Sequence, residues 1–357
     1  MPTSSLPVHL ITGLLGSGKT TTLKHLIAQK PADQRWGIVI NEFGDIDIDA
    51  ASLQPKSSEQ IILKQVSGGC VCCTAQFSLV EAINQLLTQS ETSQHQPLDR
   101  LFIEPTGLGH PAKIIDTLKQ TTFKQPLALQ AITCIITPKQ LTEQRWQKSA
   151  VMRDLVTLAD IVVLNQIDLS SQTEQACSES ILAGLYPIKS QVTHSQFGSI
   201  PLSTLLQPHQ PAPFILLTGL TEHQTLTATH SEAYSSLIRN TQTCQVSKNA
   251  QNRVVSMGWI WQTKNQFNRV KLKAFFATLS PQLIRAKGLL KTGNEWQLVN
   301  WTEQQLHFSD IAWRQDNRLE LLFKPDVNFN PNDLKDIEIQ LLNCINTVQN
   351  EPDSKQR

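Results

Sequence analysis

The segment GLLGSGKT, residues 13–20, follows a short apolar stretch and opens a stretch with helical character. It fits the pattern G-x-x-x-x-G-K-[ST], with Gly13, Gly18, Lys19 and Thr20 at the fixed positions. Glycines in such a loop let backbone N–H groups surround phosphate groups at the positive end of the following helix. The alternative is a glycine-rich turn that binds nothing, but the strand before it and the helix after it favour a nucleotide-phosphate loop.

Further short apolar stretches follow in the first half of the chain, and each ends in polar residues. They read WGIVINEFG, RLFIEPTG, QAITCIITP and ADIVVLNQID, and helical segments such as FSLVEAINQLLTQ and PAKIIDTLKQ separate them. Apolar strands that alternate with helices indicate a parallel sheet with helices on both faces. The predicted fold class is therefore α/β, a P-loop NTPase sheet whose ligands bind beyond the carboxyl ends of the strands.

The composition of the sequence changes after residue 206, where proline and polar residues become frequent. A length of 357 residues also suggests two domains. We predict a P-loop domain at residues 1–206 and a polar, partly disordered linker at 207–252. A smaller α+β domain follows at 253–347, with strands in RVVSMGWIWQ, EWQLVNW and RLELLFKP. Residues 348–357 form a polar tail.

The phosphate loop and the strand ends supply candidate nucleotide-binding and catalytic residues. Lys19 is expected to neutralise the β- and γ-phosphates, Thr20 to hold Mg²⁺, and Glu104 and Gly107 of EPTG to act as a variant of the GTPase D-x-x-G motif. For Glu104 the alternative is a helix cap or a surface carboxylate. The predicted nucleotide contacts of the loop are Gly13, Gly16, Ser17, Gly18, Lys19, Thr20 and Thr21.

The segment NQID, residues 165–168, resembles the base-reading N-K-x-D motif of GTPases. Asp168 would accept hydrogen bonds from guanine, whose donors adenine does not offer in that pattern. Asn165 would brace the loop and contact the base, while Gln166 replaces the lysine whose stem packs along the nucleotide. An ordinary turn after a strand is the alternative, because Asn and Asp are common in turns.

Three of the chain's seven cysteines lie in GGCVCC, residues 68–73. Cys70, Cys72 and Cys73 provide soft thiolates that suit Zn²⁺, and Glu42 of NEFG is a candidate fourth ligand. A redox dithiol and simple packing remain the alternatives. The other four cysteines, Cys134, Cys177, Cys244 and Cys344, are scattered and read as packing residues.

Composition argues against several classes of protein. The formal net charge is +1, from 31 basic and 30 acidic residues, so no sequence-wide attraction to nucleic acid or to a membrane surface is expected. No apolar run approaches the ~18 residues of a membrane span, and the N-terminus lacks the features of a signal peptide. We therefore expect a cytoplasmic protein that does not bind nucleic acid or membranes.

The order of GLLGSGKT, NEFGDIDID, GGCVCC, EPTGLGHP and NQID resembles that of the CobW-type metallochaperone GTPase family, and LIRAKGLL resembles the R-x-K-G stretch of its second domain. EPTGLGHP is most similar to the bacterial zinc-binding GTPase branch. The resemblance covers nearly the whole chain. It implies GTP hydrolysis with Mg²⁺, Zn²⁺ or a similar transition metal bound at Cys70, Cys72 and Cys73 with Glu42 in support, and delivery of the metal to a client protein.

Other functions remain compatible with the same residues. The chain could be a metal sensor or buffer that uses GTP as a switch, a cobalt- or cobalamin-related relative, or a P-loop kinase for a small molecule. The alternatives extend to the metal, which could be Zn²⁺ or Co²⁺ because both accept thiolates, and to a single chain or a homo-oligomer. Asp49, which matches a recurrent family position, and His110 have both structural and functional interpretations.

Overall fold

The structure of the chain is a computed structural model, and it describes residues 5–42, 61–67, 72–92, 97–105, 111–209, 241–249, 254–302, 304–324, 327 and 331–346. The chain divides into two compact units, Met1–Pro213 and Phe214–Arg357. Each unit contains its own β-sheet and its own hydrophobic core.

The first unit alternates strands with helices along the chain. Its strands are β1 (Leu6–Gly13), β2 (Trp36–Glu42), β3 (Ile61–Ser67), β4 (Arg100–Glu104), β5 (Leu127–Leu129), β6 (Thr133–Ile136), β7 (Ile161–Leu164) and β8 (Gln191–His194). Its helices are α1 (Lys19–Ala28), α2 (Cys72–Thr92), α3 (Pro111–Gln120), α4 (Glu143–Lys148), α5 (Ala150–Leu158), α6 (Gln172–Ala183) and α7 (Leu202–Leu205). The five apolar stretches of the sequence form β1, β2, β4, β6 and β7, as predicted.

The strand pairs of this sheet run parallel in the order β3-β2-β4-β1-β6-β7-β8, and β5 also pairs with β1. Parallel strands have their carboxyl ends at one edge of the sheet, where ligands bind in open α/β folds. The residues that end β1, β2, β4 and β7 therefore meet at the same edge. These ends carry the phosphate loop, Glu42, Glu104 and the NQID segment.

Helices cover both faces of the parallel sheet. In β6, Cys134 packs in one buried cluster with residues of α5 and α6, whereas its neighbour Ile135 packs in another with residues of α1. Successive residues of a strand point to opposite faces, so the two clusters lie on opposite sides of the sheet. Burial raises the pKa of the Cys134 thiol to about 12, which keeps it protonated and agrees with a packing role. The prediction of a parallel sheet with helices on both faces is confirmed.

Several helices of this unit begin at residues whose side chains cap them. Ser149 Oγ accepts a hydrogen bond from Met152 N at 3.2 Å at the start of α5. At the start of α6, Ser171 Oγ accepts from Glu174 N at 3.3 Å, and Glu174 Oε2 accepts from Ser171 N at 2.8 Å. This reciprocal pair satisfies two N–H groups that the helix itself leaves without a partner.

His9 of β1 is a fully buried polar residue of the same sheet. Its Nδ1 lies 3.0 Å from Leu205 O and so carries the proton, while Nε2 lies 3.4 Å from Arg100 Nη1 and accepts. The imidazole stacks on Phe102, with ring centroids 4.9 Å apart. Burial, together with the Arg100 charge, lowers the pKa of His9 from 6.5 to about 4.

We expect the first unit to lose stability as the pH falls from 6.5 to about 4. In that window the unfolded chain binds a proton at His9 and the folded unit does not, so acid favours unfolding by up to ~1.4 kcal/mol per pH unit. Urea denaturation of wild type and of His9→Phe at about pH 7, 5.5 and 4.5 measures this. His9→Phe lacks the hydrogen bond to Leu205 O at every pH, which shifts its stability by a constant amount. It also lacks the imidazole, so its stability should not show the pH dependence that His9 causes. A stability difference that does not change with pH would contradict the prediction.

The second unit is an antiparallel sheet packed against two helices. Its strands are β9 (Thr241–Asn249), β10 (Val254–Trp261), β11 (Leu283–Thr292), β12 (Glu295–Thr302), β13 (Gln305–Asp310) and β14 (Asn317–Phe323), and its helices are α8 (Arg269–Leu279) and α9 (Pro331–Leu342). The strand order is β13-β12-β11-β14-β10-β9, and LIRAKGLL lies in β11. Trp259, Trp261 and Phe276 are in its core. The predicted α+β class of this region is confirmed.

Strand β9 lies inside the stretch that the sequence predicts to be a linker. It pairs antiparallel with β10, with Asn249 opposite Val254 and Cys244 opposite Trp259. Residues 241–249 therefore belong to the second sheet, although their composition is polar. Residues 210–240 and 348–357 lie outside the described residues, so the rest of the linker, the tail and the domain limits stay predictions.

Across the described ranges, no helix combines the length and the apolar character needed to cross a membrane.

Candidate functional site

The loop between β1 and α1 has a backbone shaped for phosphate groups. Gly16 and Gly18 have φ angles of +76° and +93°, which favour glycine. A Cβ on Gly16 would meet nothing within 4 Å, so the loop is open there, whereas a Cβ on Gly13 would overlap the carbonyl of Ile135. Gly18 is the N-cap of α1 and has no side chain to cap it, so first-turn N–H groups remain for an anion.

Two polar side chains of this loop are buried. Ser17 is fully buried, and within the described residues no hydrogen-bond partner lies near its Oγ. A buried hydroxyl without a partner costs stability, which fits a loop that a ligand completes. Lys19 is also buried, and its Nζ donates to Leu14 O at 3.1 Å, so the ammonium lies inside the loop. Thr21 lies exposed in the first turn of α1.

Thr20 and Glu104 are in contact at the ends of the neighbouring strands β1 and β4. The hydroxyl of Thr20 donates to Glu104 Oε1 at 2.8 Å, and Glu104, the last residue of β4, is buried. The two residues are 84 positions apart in the sequence, and the pairing of β1 with β4 brings them together. A hydroxyl and a carboxylate offer the hard oxygen atoms that Mg²⁺ prefers, so this pair fits the predicted magnesium position.

Asn165 connects the phosphate loop to the segment that follows β8. It follows β7, is buried, and donates from Nδ2 to Ser17 O at 2.9 Å. Its Oδ1 accepts from Gly198 N at 3.0 Å. A Cβ on Gly18 would overlap the Asn165 amide, so the loop and the asparagine are in close contact.

Gln166 and Asp168, the next polar residues of the NQID segment, differ in their surroundings. Gln166 has a left-handed φ of +58°, and its Nε2 donates to Gly16 O at 3.2 Å. The glutamine therefore contacts the phosphate loop, although it replaces the expected lysine. Asp168 lies exposed in the short 3₁₀ turn Ile167–Leu169. Its side chain is exposed, so its carboxylate is accessible to a ligand.

The sequence analysis missed the segment 195–199, which follows β8. Ser195 N donates to Leu164 O at 2.9 Å, and Ile167 N donates to Ser195 O at 3.3 Å, so this segment packs beside NQID. Gly198 has a φ of +72°, and a Cβ there would come within 2.8 Å of Thr22 N. The available signal was the position of HSQFGS at the end of a strand, because ligand-binding loops of this fold follow strand ends.

The cysteine motif lies two strands away from Glu104. Strands β2 and β3 pair in register with Glu42 opposite Ser67, and Ile40 lies opposite Glu104. Cys72 follows Ser67 by five residues and begins α2, with Cys73 next to it. Neighbouring strands are about 4.8 Å apart, and β3 ends two residues beyond the level of Glu104, so the ends of β3 and β4 are separated by roughly 12 Å.

Several predicted residues lie outside the described part of the chain. They are Cys70, Gly107, Asp49 and His110. For Glu42, Cys72 and Cys73 the structure describes the backbone only. Among the described residues, no three His, Cys, Asp or Glu side chains gather as metal ligands. The side chains of the cysteine motif are not among those described, so the metal ligands stay a prediction.

Of the four scattered cysteines, the structure describes the side chains of Cys134, Cys177 and Cys344, and these three are free thiols. Cys134 and Cys344 are buried, and Cys177 is half-buried in α6. Burial raises the pKa of the Cys344 thiol to about 11, as it does for Cys134. Neither of these two thiols is therefore ionised near neutral pH, which agrees with their predicted packing role.

Comparison with protein families gives two matches. The family described as "CobW/HypB/UreG, nucleotide-binding domain" matches residues 7–190. The family described as "Cobalamin synthesis protein cobW C-terminal domain" matches residues 256–337. The two matches correspond to the parallel sheet and to the antiparallel sheet.

Comparison with known proteins gives relatives along most of the chain. Zinc chaperone YeiR of Escherichia coli is 31% identical over 327 residues, which cover 90% of this chain and 94% of that protein. Zinc-regulated GTPase metalloprotein activator 1 of Schizosaccharomyces pombe is 27% identical over 182 residues, covering 50% of this chain and 43% of that protein.

Among solved structures, the Zn(II)-bound YjiA GTPase of E. coli is 17% identical, with a TM-score of 0.43, over 95% of this chain and 99% of that one. The family match to residues 7–190 spans about half of the chain, and the YeiR match spans nearly all of it. The chain therefore belongs to the CobW/HypB/UreG family, with a CobW C-terminal domain after its nucleotide-binding domain.

Proposed function

We propose that the protein is a GTP-hydrolysing zinc chaperone of the cytoplasm. It binds Zn²⁺, or a similar transition metal, through Cys70, Cys72 and Cys73, with Glu42 as a fourth ligand, and transfers the metal to a client metalloprotein. Support comes from the family, from relatives that are named zinc chaperones, and from the chemistry of the residues.

The observation that carries the proposal is the register of the first four strands of the sheet. Ser67, which leads into the cysteine motif, lies opposite Glu42, and the next strand ends in Glu104, which contacts Thr20 of the phosphate loop. A metal at the cysteines and a phosphate at the loop would therefore lie at one sheet edge. Their strand ends are within about three strand spacings of ~4.8 Å.

Different residues of the nucleotide site have different roles in this proposal. Lys19 and the first-turn N–H groups of α1 bind the phosphates, and Ser17 and Asn165 hold the loop in shape. Thr20 and Glu104 would hold Mg²⁺, which neutralises phosphate charge when bound. Gly107, three residues after Glu104, is the proposed backbone donor to the γ-phosphate.

The coupling between the two sites follows the logic of GTPase switches. The γ-phosphate of GTP would order Glu42, at the end of β2, together with the segments that follow β3 and β4, which carry the cysteines and Gly107. Hydrolysis removes that contact, so the thiolates bind the metal less tightly and it passes to the client. Linkage requires that Zn²⁺ change the affinity for GTP by the same factor.

A metal buffer that uses GTP as a switch is the second candidate, since the same cysteines would serve it. A buffer needs no client-dependent turnover. An apo-client that accelerates GTP hydrolysis therefore favours the chaperone over the buffer.

We expect the protein to hydrolyse GTP with a kcat/KM about 100-fold or more above that for ATP, because Asp168 accepts from guanine donors that adenine lacks. Phosphate release with each nucleotide in the presence of Mg²⁺ measures this. The variant Asp168→Asn should lose most of the preference, whereas Asp336→Asn, an exposed aspartate of the second unit, should keep it. Equal turnover of the two nucleotides by wild type would contradict the guanine assignment.

A further inference from the structure

Phe197 is an exposed aromatic residue with an unusual backbone. Its side chain is 69% exposed, and its φ is +54°, a left-handed conformation that bulky residues rarely adopt. Phe77 is similarly exposed at 73%, but it lies within helix α2 and has no such backbone. Strained backbone of this kind persists where surrounding contacts impose it, and it concentrates at ligand sites.

The contacts that impose this conformation come from the nucleotide site. Gly198, the next residue, donates to Asn165 Oδ1 at 3.0 Å and lies so close to Thr22 that a Cβ would come within 2.8 Å of its backbone nitrogen. Ser195 accepts from Ile167 N at 3.3 Å, one residue before Asp168. The backbone on either side of Phe197 is therefore held against the base-reading segment and the first turns of α1, and its phenyl group is exposed beside them.

From this position we propose that Phe197 stacks on the guanine base and is a positioning residue for the nucleotide, an inference that rests on the proposed binding of GTP. Asp168 reads the edge of the base, and a phenyl group offers an apolar face to its plane. Such a face is absent from Gln166, which stands where related GTPases have a lysine stem and whose amide is engaged with Gly16 O.

Stacking of this kind contributes affinity rather than selectivity. Every nucleobase has a π-face, so Phe197 would bind adenine and guanine rings alike, and Asp168 alone would discriminate between them. The phenyl group would also lose its contact with water when the base binds, which removes exposed apolar surface. Phe197 therefore affects binding of the base and has no part in cleavage of the phosphate.

Isothermal titration of Mg²⁺–GDP to the full chain tests the inference. We expect Phe197→Ala to weaken GDP affinity by about 5- to 100-fold, and Phe197→Tyr to retain the wild-type affinity. Tyrosine keeps both the aromatic ring and the bulk of phenylalanine at this positive φ, so wild-type affinity in Phe197→Tyr would show that substitution alone does not weaken binding. The KM for GTP should rise in Phe197→Ala by a similar factor while kcat stays constant.

Inorganic pyrophosphate separates stacking from a structural role. If Phe197 only held the 195–199 segment, its loss would disturb Asn165 and Ser17, and pyrophosphate binding would weaken together with GDP binding. The matched control is Phe77→Ala, because α2 follows β3 at the opposite end of the strand order from β8. If wild type binds GDP and Phe197→Ala binds it with the same affinity, the stacking proposal is wrong but the proposed function stands. Wild type that binds no GDP would overturn the proposed function as well.

Discussion

Replacement of Lys19 by alanine is expected to lower kcat for GTP hydrolysis by about 100- to 1,000-fold. The ammonium group lies inside the phosphate loop, 3.1 Å from Leu14 O, and the loop is open at Gly16. When phosphates enter, Lys19 can exchange that carbonyl for phosphate oxygens, whose charge grows as the terminal bond breaks. Loss of a positioned cation from such a site costs ~3–4 kcal/mol of transition-state stabilisation.

The control for this variant is Lys148→Ala, which removes an exposed lysine at the end of α4. It should leave kcat within about twofold of wild type, because Lys148 is exposed and solvent and salt screen exposed charges. Circular dichroism establishes that both variants fold. A folded Lys19→Ala protein with wild-type kcat would show that hydrolysis does not occur at this loop.

The second large effect is expected at the cysteine motif. We predict that Cys72→Ser weakens Zn²⁺ binding by about 100-fold or more, because removal of a mere supporting contact to a zinc ligand already costs 10- to 100-fold. Serine keeps the size of the side chain but replaces a soft thiolate with a hydroxyl that stays protonated. Competition with a chelating dye measures the affinity.

The matched control for the cysteine variant is Cys177→Ser. Cys177 is a free, half-buried thiol in α6, and it packs at the margin of the cluster formed by α5 and α6. Its replacement should leave Zn²⁺ affinity unchanged. If Cys72→Ser and Cys177→Ser bind Zn²⁺ alike, the motif is not the metal site, and a redox pair becomes the better interpretation.

Central strands of the first sheet could be predicted from the sequence, whereas edge strands could not. β1, β4 and β6 are covered on both faces and read as continuous apolar stretches. β3 and β8 lie at the ends of the strand order; residues 61–64 of β3 are half-buried, and the residues of β8 are half-buried or exposed. β9 lies at the end of the strand order of the second sheet, and its sequence is polar.

Some residues of the candidate site could be predicted from the sequence, whereas the contacts between them could not. Residues inside short motifs, such as Lys19 and Asp168, could be found from spacing alone, because the motif itself has a fixed geometry. The contacts of Asn165 with Ser17 and Gly198 join positions 148 and 33 residues apart. Only the strand order brings such segments together, so the contacts of the 195–199 segment could not be predicted from its sequence, even though its position after a strand was a signal.

The central claim, that GTP controls the metal site, is tested most directly by Zn²⁺ affinity in two nucleotide states. Wild type is titrated against a chelating dye with GDP and with a non-hydrolysable GTP analogue, beside Cys72→Ser. We predict that wild type binds Zn²⁺ about tenfold or more tightly with the GTP analogue, and that the variant loses this binding in both states. Equal Zn²⁺ affinity of wild type in the two states would contradict the claim.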